Sequence, residues 1–192
     1  KKTSRTSWKY ILSFTSHPAR FETLPEFLPS LLNQALPPEE IHLNLAETDI
    51  SKLPRQIKSI LVDSGVKIYP TSDLGPAKKL IPTLKRSKLP VICVDDDLIL
   101  SGELTLQLMA QHQLFPTSGA GTLVTAQHFH RDVFDEKLYR ELSFHTDDLW
   151  WYFQARRIGV DVRRVPGRRP LEFIPGTQES GLWSTGNQEL KD

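Results

Sequence analysis

Val91-Ile92-Cys93-Val94-Asp95-Asp96-Asp97 is the stretch on which the reading of this chain turns. Four consecutive apolar residues, introduced by Pro90, describe a strand buried on both faces, as expected of a central parallel strand. Three carboxylates follow without a spacer. Ligands of open α/β sheets bind outside the carboxyl ends of the strands, so the triplet faces the crevice where a substrate would lie. Side chains alternate along an extended chain, which predicts Asp95 and Asp97 on one side and Asp96 on the other. Three adjacent negative charges repel one another, and a divalent cation or cationic partners would relieve that cost. Mg2+ or Mn2+, held by one or two carboxylates plus substrate phosphates, is the natural candidate. The plainer alternative is a solvated acidic turn that caps the next helix or pairs with Arg.

Working outward, Tyr10 to Thr15 reads as a buried strand stopped at Ser16-His17-Pro18. A helix is predicted over Phe27 to Gln34, closed by Pro37-Pro38, followed by a strand over Ile41 to Ala46. Leu53 to Asp63 has helical spacing and stops at Gly65, and Val66 to Tyr69 is a short strand. Pro76 suits a first helical position for Ala77 to Lys85, where Pro82 predicts a kink or an early end. Beyond the acidic triplet, helices are expected over Gly102 to Gln113 and Asp147 to Ile158, and strands over Thr122 to Ala126 and Val160 to Val165. In the second of these helices Leu149, Trp150, Phe153 and Ile158 are expected to anchor on the sheet. The alternation predicts an α/β fold with a mostly parallel, doubly wound sheet, as one domain over residues 1–192. Residues 1–8 are expected to be a flexible tail, and residues 166–192 an irregular cover.

Composition narrows the function classes. In 192 residues, 24 Lys+Arg nearly balance 23 Asp+Glu, and 39% are hydrophobic, which argues against disorder and against a nucleic-acid partner bound over the whole surface. No segment supplies the ~20 apolar residues of a membrane span, so a cytoplasmic location is expected, with peripheral association at the inner face of a membrane as an option. The single cysteine, Cys93, excludes an internal disulfide framework and a multi-thiolate zinc site, and is read as a core residue. Residue 1 is Lys rather than Met, and the chain is expected to be a piece of something larger.

A second acidic pair, Asp147-Asp148, follows Thr146. One reading is a helix start with Thr146 as cap and both acids favourably placed against the macrodipole. The other makes one acid a general base aimed into the crevice. Arg20 could meet a phosphate or a nucleobase, or form a surface ion pair. Lys78 and Lys79 follow a Gly-Pro turn into a helix, where anions bind readily. Glu47, at the end of the second strand, could accept from a base or ribose hydroxyl. His145 beside the acidic pair is a further metal candidate, ahead of His128 and His130. The run Arg163 to Arg169 is a solvated face or a site for a polyanion.

Taken in order, these pieces resemble the GT-A glycosyltransferases, in particular small bacterial enzymes that build surface polysaccharides. The resemblance rests on SHPARF at 16–21, SLLNQ at 30–34, DLGPAKKL at 73–80, VICVDDD at 91–97 and TDDLWWYFQARRIG at 146–159. It implies a nucleotide-sugar donor, foremost a UDP-sugar, lying across the first half of the sheet, and a glycan or glycolipid acceptor. It implies that Asp95, Asp96 and Asp97 are a DxD-type motif, with Asp97 the direct metal ligand and Asp95 or Asp96 a ribose contact. Ser16, Arg20, Glu47, Asp73 and Lys79 would line the nucleotide pocket. Asp148 matches the second acid of the family's Glu-Asp pair, the general base of inverting members, while Asp147 stands where Glu is usual. Sugar nucleotidyltransferases are a rival, but SHPARF is not the glycine-rich basic loop they carry after the first strand. A glycan- or nucleotide-binding module that has lost turnover is the non-enzyme alternative.

Overall fold

A computed structural model describes residues 9–111, 121–161 and 171–180. Strands β1 (Ile11–Thr15), β2 (Glu40–Ala46), β3 (Val66–Thr71), β4 (Val91–Cys93) and β6 (Thr122–Val124) form one sheet in the order β3-β2-β1-β4-β6. The first four are parallel and β6 runs antiparallel to β4. The result is a mostly parallel α/β sheet, as the alternation predicts. Between its strands come the helices α1 (Leu24–Leu32), α2 (Glu47–Ile50), α3 (Arg55–Asp63), α4 (Ile81–Arg86) and α5 (Leu104–Gln111). After β6 follow α6 (Glu136–Ser143) and α7 (Asp147–Arg156).

Alternation along the strands divides the core in two. Leu12, Phe14, Leu43, Leu45, Ile92 and Val94 pack with Leu24, Phe27, Leu31, Ile57, Leu61 and Leu108 from α1, α3 and α5. Val91, Cys93 and Val124 point the other way, onto Leu80, Ile81, Tyr139, Trp150 and Trp151. The strand containing Cys93 is therefore buried on both faces, and burial pushes its thiol up to about 12.

The boundaries depart from the sequence reading in instructive places. The helix expected over Ala77 to Lys85 is two pieces, a 3₁₀ turn over Gly75–Lys79 and α4, with Pro82 in the first turn of the second. Proline lacks an amide proton and suits a first turn, so the break falls ahead of Pro82. Thr125 and Ala126 leave the predicted strand, because Ala126 opens a 3₁₀ turn capped by Thr125. Val160 and Asp161 are not in a strand, and the rest of the strand expected to Val165 lies outside the described residues. Of the four residues expected to anchor α7, Trp150 is buried as expected, whereas Leu149, Phe153 and Ile158 are exposed at 52%, 58% and 42%, and Trp151 and Ala155 are buried in their place. The run Leu-Trp-Trp-Tyr-Phe is apolar all round and sets no phase, so tertiary packing chose the indoles, which bury the largest surface. A second small sheet pairs β5 (Leu98–Ile99) antiparallel with β7 (Glu172–Phe173) and draws residues 171–180 over the acidic triplet.

Candidate active site

The Asp triplet lies at the carboxyl end of β4, next to the carboxyl end of β1. Strand β4 stops at Cys93, Val94 donates a last amide bond to Ser13, and Asp96-Asp97 form a turn before β5. Alternation therefore fails where it was applied: Asp96 and Asp97 share one cation and Asp95 takes another. The reason is the turn, which ends the two-residue period of an extended chain.

Arg20 is the first of these cations. It is buried, on a 3₁₀ turn (Pro18–Thr23) opened by Pro18 after β1. Nη1 donates to Asp96 Oδ1 at 2.7 Å, and Nη2 lies 3.1 Å from Asp97 Oδ2 and 3.4 Å from the Thr177 carbonyl oxygen. Gln178 Nε2 also donates to Asp97 Oδ2, at 3.2 Å. Burial works against the guanidinium charge, but Asp96 and Asp97 outweigh it and hold its pKa above the ordinary value. Burial raises the Asp96 carboxyl, with Arg20 and Ser16 opposing. Burial and repulsion from Asp95 likewise raise Asp97. Ser16 follows β1 directly and is buried, and both its Oγ and Asp96 Oδ2 are buried without a hydrogen-bond partner among the described residues.

Lys79 is the second cation. It is 1% exposed, and its Nζ lies 2.6 Å from Asp95 Oδ1 and 3.1 Å from Asp147 Oδ2. Desolvation opposes its charge, yet Asp147 and then Asp95 hold the pKa well above the ordinary lysine value. Asp147, 7% exposed, also accepts from Trp151 Nε1 at 3.3 Å. The two acidic clusters of the sequence are thus joined through one ammonium group. Asp148, the next residue, is half-buried at the same helix start.

The other candidates are placed differently. Asp73 is exposed; its Oδ1 accepts from Lys78 Nζ at 2.7 Å and from the Gly75 amide at 3.0 Å. Burial raises its pKa, but these donors prevail and the net shift is downward. Gly75 has φ +53°, and a Cβ there would meet the Phe144 carbonyl oxygen at 3.2 Å, so the turn that presents Lys78 and Lys79 requires glycine. Glu47 is exposed on the first residue of α2, directly after β2. His145 is exposed in the turn between α6 and α7, its ring edge-on to Phe144 at 5.2 Å. Among the described residues no three His, Cys, Asp or Glu side chains gather into a metal-holding group. Of the expected set, Asp95 is paired with Lys79, Asp97 with Arg20, and His145 stands exposed in its turn. Lys79, expected to line the nucleotide pocket, has its charge taken up by two carboxylates. Thr177 and Gln178 are the site residues that sequence reasoning missed; only the β5–β7 pairing brings residues so distant in the chain to Asp97.

A divalent cation is compatible with this donor set. The ligand atoms are hard carboxylate oxygens, one of them buried and unpartnered. Asp95, Asp96, Asp97 and Asp147 outnumber Arg20 and Lys79. A Mg2+-type ion needs only one or two carboxylates when phosphates supply further oxygens.

No family model matches the chain, and no curated protein matches it. Solved structures do. A mannosyltransferase from Pyrobaculum calidifontis, PcManGT, determined with GDP-Man and Mn2+, superposes over 99% of this chain and 66% of its own at a TM-score of 0.55 and 13% identity. S. aureus TarS 1–349 in complex with UDP covers 54% of this chain and 31% of its own at a TM-score of 0.41 and 23% identity. The chain thus spans about two thirds of the first and about a third of the second. The fold is α/β with a mostly parallel sheet of the GT-A glycosyltransferase type.

Proposed function

We propose that this chain is a glycosyltransferase domain that moves a sugar from a nucleoside diphosphate to a hydroxyl of a glycan or glycolipid, with inversion. One observation carries the reading: Lys79 holds the Asp triplet and the Asp147-Asp148 helix start together at the carboxyl edge of the sheet. Such a displacement needs two acidic groups with separate tasks, and here they are neighbours. The neighbouring fold supports the class; GDP-Man in the PcManGT structure suggests a GDP-sugar, beside the UDP-sugar that the sequence resemblance implies, as first donors to try.

Asp97 and Asp95 are the residues that would hold Mn2+ or Mg2+. When bound, the cation would supply positive charge to the departing diphosphate. Arg20 fixes the turn that presents Asp96 and Asp97. Asp148 takes the proton of the acceptor hydroxyl as its oxygen bonds to the anomeric carbon. The bond from that carbon to the phosphate oxygen breaks, and its electron pair leaves on the nucleoside diphosphate. Surface or extracellular polysaccharide is the proposed pathway.

Thermal shift with UDP and GDP, each with and without Mn2+, tests the donor half. Stabilisation by one nucleoside diphosphate only with metal is expected, lost in Asp97→Ala. Asp148→Asn is expected to keep that stabilisation and to lower turnover of the matching nucleotide sugar by at least about a hundredfold. Binding indifferent to both metal and Asp97→Ala would sink the assignment.

A further inference from the structure

Asp147 belongs to the acidic pair read as a source of the general base, and Lys79 is expected to line the nucleotide pocket. Their surroundings point elsewhere. Asp147 turns its carboxylate into the core, onto Lys79 and the Trp151 indole, and is 7% exposed. Lys79, at 1% exposure, is reached from Asp95 on one side and Asp147 on the other. Trp151 is itself buried, stacked on Tyr139 with centroids 6.5 Å apart. The first residue of α7 is therefore clamped from two directions, by an ammonium rooted in the 3₁₀ turn before α4 and by an indole one helical turn along. Asp148 is bonded directly to that clamped residue, and Asp95 belongs to the triplet.

We infer that Lys79 and Asp147 are positioning residues: their ion pair sets where Asp148 stands relative to the triplet, and neither touches donor or acceptor. This rests on the sugar-transfer reading and adds to it a coupling between the two acidic clusters. A buried ammonium shared by two carboxylates suits that task. Moving either carboxylate strands a charge in a low-dielectric site, so each resists displacement of the other. A base displaced by about 1 Å costs on the order of a hundredfold in rate with little effect on substrate binding.

The experiment compares Lys79→Met, Asp147→Asn and the double variant with the intact domain. Hydrolysis of UDP-glucose, UDP-N-acetylglucosamine or GDP-mannose is followed by nucleoside diphosphate release, with water as the acceptor, so no glycan acceptor is needed. Each single variant is expected to lower kcat by about ten- to a hundredfold while donor KM stays within about threefold, and the double variant should be no slower than the worse single one. A raised KM with unchanged kcat in Lys79→Met would make Lys79 a donor contact and overturn the inference. So would losses that multiply in the double variant. If Lys79→Met does not fold, Asp147→Asn decides by the same split of kcat from KM. Melting temperatures of the three variants give a readout independent of turnover. Shifts that fail to add support the pair; additive shifts overturn it. An intact domain that hydrolyses and transfers none of these donors would instead sink the sugar-transfer reading, leaving the melting-temperature cycle to judge the pair.

Discussion

The two faces of the central sheet are built on different terms. Beneath α1, α3 and α5 the contacts are almost wholly apolar, with Phe14 and Phe27 meeting edge to face at 5.4 Å. On the other face β1 and β2 turn Ser13, His42 and Asn44 inward. There Asn44 Nδ2 donates to Ser13 Oγ at 3.1 Å and to Thr83 Oγ1 at 3.0 Å, the two hydroxyls meet at 2.9 Å, and Arg86 donates to Asn44 Oδ1. Hydrophobic burial is strong but indifferent to small displacements, whereas hydrogen bonds between buried groups hold only in one arrangement. The apolar face thus supplies most of the driving force for folding. The polar face fixes the place of α4 and, through the preceding turn, of Lys79.

The sharpest way to break this contrast is Phe27→Ala, which removes a fully buried ring from the apolar face. Unfolding in urea should show a loss of about 3–5 kcal/mol, with the nucleotide-dependent thermal shift retained in the protein that remains folded. Asn44→Ala should cost less, about 1–3 kcal/mol, because Ser13 and Thr83 keep each other as partners while Arg86 loses its acceptor. Its effect on donor turnover should nevertheless exceed that of Phe27→Ala, since it loosens α4; the reverse order in a steady-state assay would erase the division of labour between the faces. The smallest effect concerns pH. Burial depresses the pKa of His42, against the pull of Glu40, and also that of His17 and His128. Below the ordinary histidine pKa of about 6.5 the unfolded chain binds protons that the native state does not, so stability should fall as the pH drops from neutrality. His42→Gln should flatten that slope in part, with His17 and His128 accounting for the remainder. An unchanged slope between pH 7 and 5, read from urea midpoints, would show that His42 titrates normally in the fold.

Much of the architecture was legible along the chain. Pro90 and the four apolar residues after it marked the central strand, and Pro and Gly marked the ends of most other elements. α6 went unread because Glu136–Ser143 is largely polar, though Asp135, which caps it by accepting from the Leu138 amide, was a usable signal. β5 and β7 are too short, at two residues each, to carry a period. At the site, both acidic clusters and Arg20 were visible as residue types in the right order. Which acid each cation would take was not, since pairing depends on where the chain turns after Cys93.

Residue order alone determined that a doubly buried strand ends in three carboxylates and that a second acidic pair opens a helix, because burial and the preference of acids for a helix start are written in local pattern, although Thr146 makes no side-chain capping bond there. Only the tertiary structure decided that Arg20 closes over Asp96 and Asp97, that Gln178 reaches Asp97, and that Lys79 binds both acidic clusters at once. These contacts join residues up to 81 positions apart in the chain. They form because a charge enclosed by a folded core must find its opposite there, whatever the separation in sequence.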